Sequence, residues 1–112
     1  MKIKMCTSIE QSKKLLSLGL DPNTADMFYH LGESLVPNVI YGCNEDFKCY
    51  LLAWSLTALL ELMPIGSHIE KKKNCYACYA VYTKPLESST PIEAAFETVC
   101  WLIEHGYIKV NK

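Results

Sequence analysis

Residues 74–82 read NCYACYAVY. The stretch admits two incompatible readings. As a C-x-x-C, Cys75 and Cys78 are half of a metal site or a redox pair, and they need a tight turn between them. As a strand, successive side chains point to opposite faces. Cys75, Ala77, Tyr79 and Val81 then face one way, and Tyr76, Cys78, Ala80 and Tyr82 face the other. The two thiols could neither share a metal nor bond to each other. Tyrosine and alanine stand between the cysteines and β-formers come after them, so nothing eases a bend and the pattern favours the strand. Residues 67–71 are its hairpin partner. Lys71, Lys72 and Lys73 fall at the turn, where a basic run is usually solvated.

Three helices are signalled around this hairpin. Ser8-Ile9-Glu10-Gln11 fits a capping box, Ile9, Ser12, Leu15 and Leu16 share a face, and Gly19 stops the helix so that Leu20 can fold back onto Leu15. Asp21-Pro22 then opens a short turn or helix. Residues 56–63 form a second helix between the N-cap Ser55 and Pro64. It is apolar on nearly all sides, as central helices are. Thr90-Pro91-Ile92-Glu93 opens the third, whose stripe of Ile92, Ala95, Phe96, Val99, Leu102 and Ile103 ends at Gly106. Short β-like runs at 27–31 and 36–41 complete the pattern, the second an edge or irregular strand at best because it contains Pro37. Residues 47–52 are ambiguous, and 88–90 read as a loop. The expected architecture is α+β: three helices packed on a small, mainly antiparallel sheet, in a single domain spanning residues 1–112.

Composition narrows the function classes. The chain has 112 residues, half of them apolar, and a formal net charge of −1. That balance gives no broad basic footprint and argues against nucleic acid. The most apolar window, residues 49–63, is shorter than the roughly 20 residues a membrane helix needs. No secretory signal opens the sequence, so the expected location is cytoplasmic, with six reduced cysteines behaving as small hydrophobes.

No catalytic residues are assigned, and nothing in the sequence asks for a cofactor. His30, His68 and His105 are scattered. His105, just before Gly106, reads as a helix C-terminal cap. Phosphate-loop, G-x-S-x-G and H-E-x-x-H patterns do not occur. The features left over point to contact with another protein. Both faces of the strand are apolar or aromatic, whereas small antiparallel sheets commonly have one face in water. Trp101, at about 100° per residue, falls opposite the core stripe of the third helix, on the side of Glu97. Either a loop around Tyr29 or Tyr107 covers it, or a partner does. The interface candidates are Trp101, Tyr76, Cys78 and Tyr82, with a homodimer the simplest form of the contact. Two alternatives stay open. In one, Cys43, Cys49, Cys75 and Cys78 converge on a structural zinc in a module that binds nucleic acid. In the other, a small thiol or acid–base enzyme forms when Cys78 or Cys43 meets a histidine.

Three stretches, LGLDPNTADM (18–27), AWSLTALLELMP (53–64) and TPIEAAFETVCWLIEHGYI (90–108), together resemble a family of small uncharacterised proteins of gut Bacteroides-group bacteria, their phages and mobile elements. The resemblance implies an accessory role in a phage or mobile element. It carries no activity, cofactor or functional residue.

Overall fold

The computed structural model describes residues 5–30, 37–39 and 50–110. Helix α1 spans Ile9–Ser17. Its entrance is a reciprocal capping box: Ser8 Oγ accepts from the Gln11 N–H at 3.1 Å, and Gln11 Oε1 accepts from the Ser8 N–H at 2.9 Å. At its exit Gly19 takes φ 93°, a backbone conformation costly for any residue with a Cβ. The Gly19 N–H donates to the Leu16 carbonyl and the Leu20 N–H to the Leu15 carbonyl, at 3.0 and 3.2 Å. This pair of bonds is a Schellman closure, and it lays Leu20 on Leu15 inside the core.

A 3-10 turn, Pro22–Thr24, capped by Asp21, leads into the first sheet. Its strands are β1 (Met27–His30), β2 (Pro37–Val39) and β3 (Tyr50–Ala53), in the antiparallel order β2-β1-β3. Pro37 is therefore on an edge strand, where a missing N–H interrupts no central ladder. Helix α2 (Leu56–Glu61) comes directly after β3. Its N-cap Ser55 accepts from the Ala58 N–H at 3.2 Å. Ser55 is itself held by Asp26, whose carboxylate accepts from the Ser55 N–H at 2.8 Å and from the Ser55 hydroxyl.

The second sheet contains β4 (His68–Lys71), β5 (Tyr76–Tyr79) and β6 (Leu86–Ser88), with β5 central. Register sorts its faces. Ile69, Cys78 and Leu86 lie in one row, as do Glu70, Ala77 and Glu87 in the next. The first row packs under helix α3 (Pro91–Glu104), which starts from the N-cap Thr90. The architecture is α+β, with three α-helices among the described residues and their strands divided between two antiparallel sheets of three.

Two of these elements differ from the sequence reading. Residues 88–90 are not all loop, because Ser88 closes β6 opposite Tyr76. The CYAC strand is also shorter than expected. It ends at Tyr79 and gives way to a turn closed by the Thr83 N–H on the Ala80 carbonyl, so Tyr82 leaves the strand's alternation.

The larger core joins Leu15, Leu20, Trp54, Leu59, Met63 and Cys78 to α3. Trp54 is wholly buried, and its Nε1 donates to Thr24 Oγ1 at 2.9 Å, which satisfies the one polar atom of the ring. The more enclosed helix is α3 rather than α2. Ala94, Ala95, Thr98 and Cys100 are buried along with its larger apolar residues, and small side chains let sheet and helix approach on several sides. A smaller core of Cys6, Met27, Tyr29, Leu51 and Ala53 lies at the first sheet. There the Tyr29 hydroxyl donates to the Thr7 carbonyl at 2.8 Å, and Thr7 and Ser12 hydroxyls pair at 2.7 Å. Thr98 donates to the Ala94 carbonyl at 2.8 Å, so the buried hydroxyls of Thr7, Ser12 and Thr98 each have a partner.

Candidate interaction surface

Past its first residue, α3 shows water only along Glu93, Glu97, Trp101 and Glu104. These positions share one side of a helix, three or four residues apart. Trp101 thus lies on the solvent stripe, on the side of Glu97, and not in the core stripe. The chain just past the helix covers it in part.

The end of α3 repeats the closure seen in α1. Gly106 takes φ 79°, its N–H donates to the Ile103 carbonyl at 3.1 Å, and the Tyr107 N–H donates to the Leu102 carbonyl at 2.8 Å. The residue after such a glycine folds back over the last helical turn. Here that residue is Tyr107, and its ring lies parallel to Trp101 with centroids 5.9 Å apart. His105 stacks on Trp101 at 3.8 Å, and its Nδ1 donates to the Trp101 carbonyl at 2.8 Å. It is therefore the C-terminal cap expected from its position. Tyr82, from the turn between β5 and β6, stacks on Tyr107 at 4.3 Å with planes 2° apart. Tyr82 and Tyr107 remain 52% and 49% exposed, in keeping with rings that touch a neighbour on one side and water on the other. Parallel contacts of this kind stabilise by about 0.5–1.5 kcal/mol each beyond burial.

The structure divides the candidates named from sequence. Trp101 and Tyr82 come together through Tyr107. Tyr29, the other possible cover for Trp101, is buried in the smaller core. Tyr76 is half-buried on β5, opposite Lys71 and Ser88, nearer the other end of the sheet. Cys78 requires a correction. It is fully buried under α3 with its Sγ donating to Met63 Sδ at 3.7 Å, so it offers nothing to a partner. Its place in the strand alternation is the one the sequence predicts, but the apolar face it belongs to is covered by this chain's own helix. The opposite face carries Ala77 between Glu70 and Glu87, and Lys72 bridges to Glu87 at 2.8 Å. Longer polar neighbours thus screen a small methyl, and no second chain is needed to explain why Ala77 is buried. The sequence suggests Tyr107 only as a cover, not as a contact residue. The signal for its stacking is Gly106, because the closure fixes where the next side chain returns.

Thiol chemistry has little support here. Burial pushes the Cys78 thiol up, only partly offset by the neighbouring Thr98 hydroxyl. Burial also pushes Cys100 up to about 11, and it raises Cys6 despite a contact with the Tyr29 hydroxyl at 3.5 Å. Each shift disfavours the thiolate that nucleophilic or metal-binding cysteine needs. Cys43 and Cys49 lie outside the described residues. Cys75 precedes β5 and is half-buried. Among the described residues no three His, Cys, Asp or Glu side chains gather as metal ligands, and no helix is long and apolar enough to cross a membrane.

No protein-family model matches this chain, and neither does any curated protein or solved structure.

Proposed function

We propose that this chain is a non-enzymatic accessory protein that acts by contact with another protein, in keeping with the phage or mobile-element resemblance of its three quoted stretches. One observation carries the reading: the Tyr82–Tyr107–Trp101 stack, aromatic and half in water, at the end of a helix otherwise enclosed. Tyrosine and tryptophan are the side chains most enriched where interfaces concentrate their binding energy. The raised thiols favour this over the thiol-enzyme alternative. The zinc alternative needs Cys78 to leave the core and lose its proton, which sets the burial of β5 against it.

Placing a photo-cross-linking residue at Tyr82 in cells that express the chain tests the reading. A control carries the same residue at Lys13, which is exposed on α1. The expected result is a discrete protein adduct from position 82, absent from position 13 and lost when Trp101→Ala is added. Equal, diffuse labelling from both positions would count against the surface.

A further inference from the structure

We infer that the partner of this surface includes a second copy of the chain, whose lysine turn docks against the exposed stripe of α3. The inference rests on the interaction reading above and names one occupant for it.

The stripe is acidic as well as aromatic. Glu97 and Glu104 stand four residues before and three after Trp101, and so flank its ring along the helix. A cation seated there meets the two carboxylates beside an indole that is itself stacked on His105 and Tyr107. The chain's longest run of positive charge is Lys71–Lys73, at the turn between β4 and β5; the pair Lys13 and Lys14 on α1 is shorter, and Lys14 already acts on Cys100 of its own α3. Lys72 is committed to Glu87, but Lys71 and Lys73 are exposed and make no ion pair among the described residues. Lys84 and Lys109 are exposed and lie outside the helices and strands.

Topology places the lysine turn at one end of the layer and the Trp101–Glu104 part of the stripe at the other, with Glu97 reaching back towards Ser88 at the lysine end. In the antiparallel sheet the lysine turn and the Tyr82 turn cap opposite ends of β5. Ser88, across β5 from the lysine end, lies 3.4 Å from the Glu97 carboxylate, and Ser89 lies 3.4 Å from that of Glu93. Helix α3 thus starts near the lysine end and finishes at the rings, roughly 20 Å further on at 1.5 Å per residue. Ends of opposite character on one face match when two copies pack antiparallel about a two-fold axis, residue for residue reciprocally. Each lysine turn then approaches the partner's Trp101 stripe. A lone exposed ion pair contributes little, so the stacked rings must supply the apolar part. The association is expected to be weak and salt-sensitive.

Charge exchange tests this. Sedimentation equilibrium over a concentration series measures association for the full chain, for Lys71→Glu with Lys73→Glu, and for Glu97→Lys with Glu104→Lys. All four positions are exposed, so folding should survive, as checked by circular dichroism. The expected result is self-association of the unaltered chain that weakens with salt, and at least about tenfold weaker association of each charge-reversed chain alone. An equimolar mixture of the two variants should recover it, because each reversed surface then meets its complement. An unaltered chain that stays monomeric overturns the inference, as does association indifferent to both reversals, or a mixture that fails to recover. A monomer that still gives the adduct at position 82 with a different protein overturns only the second copy. A monomer without that adduct removes the surface itself.

Discussion

Helices α1 and α3 end in the same way, yet the two ends have opposite fates. Each closes on a glycine with positive φ, and each sends the next residue back over the last turn. After α1 that residue is Leu20, which is buried against Leu15. After α3 it is Tyr107, which stays half in water against Trp101. The difference lies one residue further along. Ile108 succeeds Tyr107 and takes the buried place itself, leaving the tyrosine on the outside. The closure therefore decides where a side chain returns, but neighbouring elements decide whether anything covers it. One copy of the motif works as a core staple, while the other builds a surface.

The comparison breaks most visibly at the buried end. Leu20→Ala should lower stability by about 2–5 kcal/mol, the usual range for truncating an enclosed leucine. Urea denaturation monitored by circular dichroism measures it. A loss no larger than that of a surface substitution would mean that Leu20 is not a staple.

Alkali should cost the next largest amount, with Cys100 one of the buried groups responsible. Cys100 ionises at an ordinary value of 9.0 when exposed, but burial raises it to about 11 in the folded chain, with Glu104 and Glu97 adding and Lys14 opposing. Above pH 9 the unfolded chain loses this proton while the folded chain keeps it. The stability this group contributes is therefore whole below pH 9 and lost as pH climbs towards 11, by about 2 kcal/mol. Cys6, Cys78 and Tyr29 shift in the same direction. Cys100→Ala should flatten the fall of the urea midpoint across that window. An unchanged slope would show that the thiol is not the group responsible.

The legibility of each feature in the sequence depends on the range over which its rule acts. The capping box at Ser8, the N-cap and proline of Thr90-Pro91, and both glycine closures depend on a few adjacent residues, and all are readable. The alternation that puts Ala77 and Cys78 on opposite faces is equally local, but Cys75, expected in the strand, precedes β5 and belongs to the turn. The strand's end is not legible, because YACYAVY continues to favour β-structure where the chain turns at Ala80. Nor is β6, since Leu86–Ser88 is three residues long and pairs only because β5 lies beside it. The burial of Cys78, and the choice of α3 over α2 as the enclosed helix, depend on how sheet and helices stack. The same holds for the candidate surface. Trp101 can be placed on the outer side of its helix by angle alone, but Tyr82 reaches it through Tyr107, which requires the β5–β6 turn and the end of α3 to meet.

The smallest expected effect falls on the exposed closure. Tyr107→Ala removes one parallel contact to Tyr82 and one to Trp101, but Tyr82 and Tyr107 are already half in water, so each contact should contribute near the low end of its range and stability should drop by only about 1 kcal/mol in all. The spectroscopic change should be larger than the energetic one. Of the two tryptophans, Trp54 is wholly buried with its Nε1 bonded to Thr24, and Tyr107 does not touch it. A difference spectrum against Trp101→Phe therefore isolates Trp101. Losing Tyr107 should move its emission to the red as water reaches the indole, whereas Leu20→Ala should leave that spectrum in place while the protein remains folded. If the two substitutions act alike on Trp101, the two ends are one coupled unit, and the division between staple and surface fails.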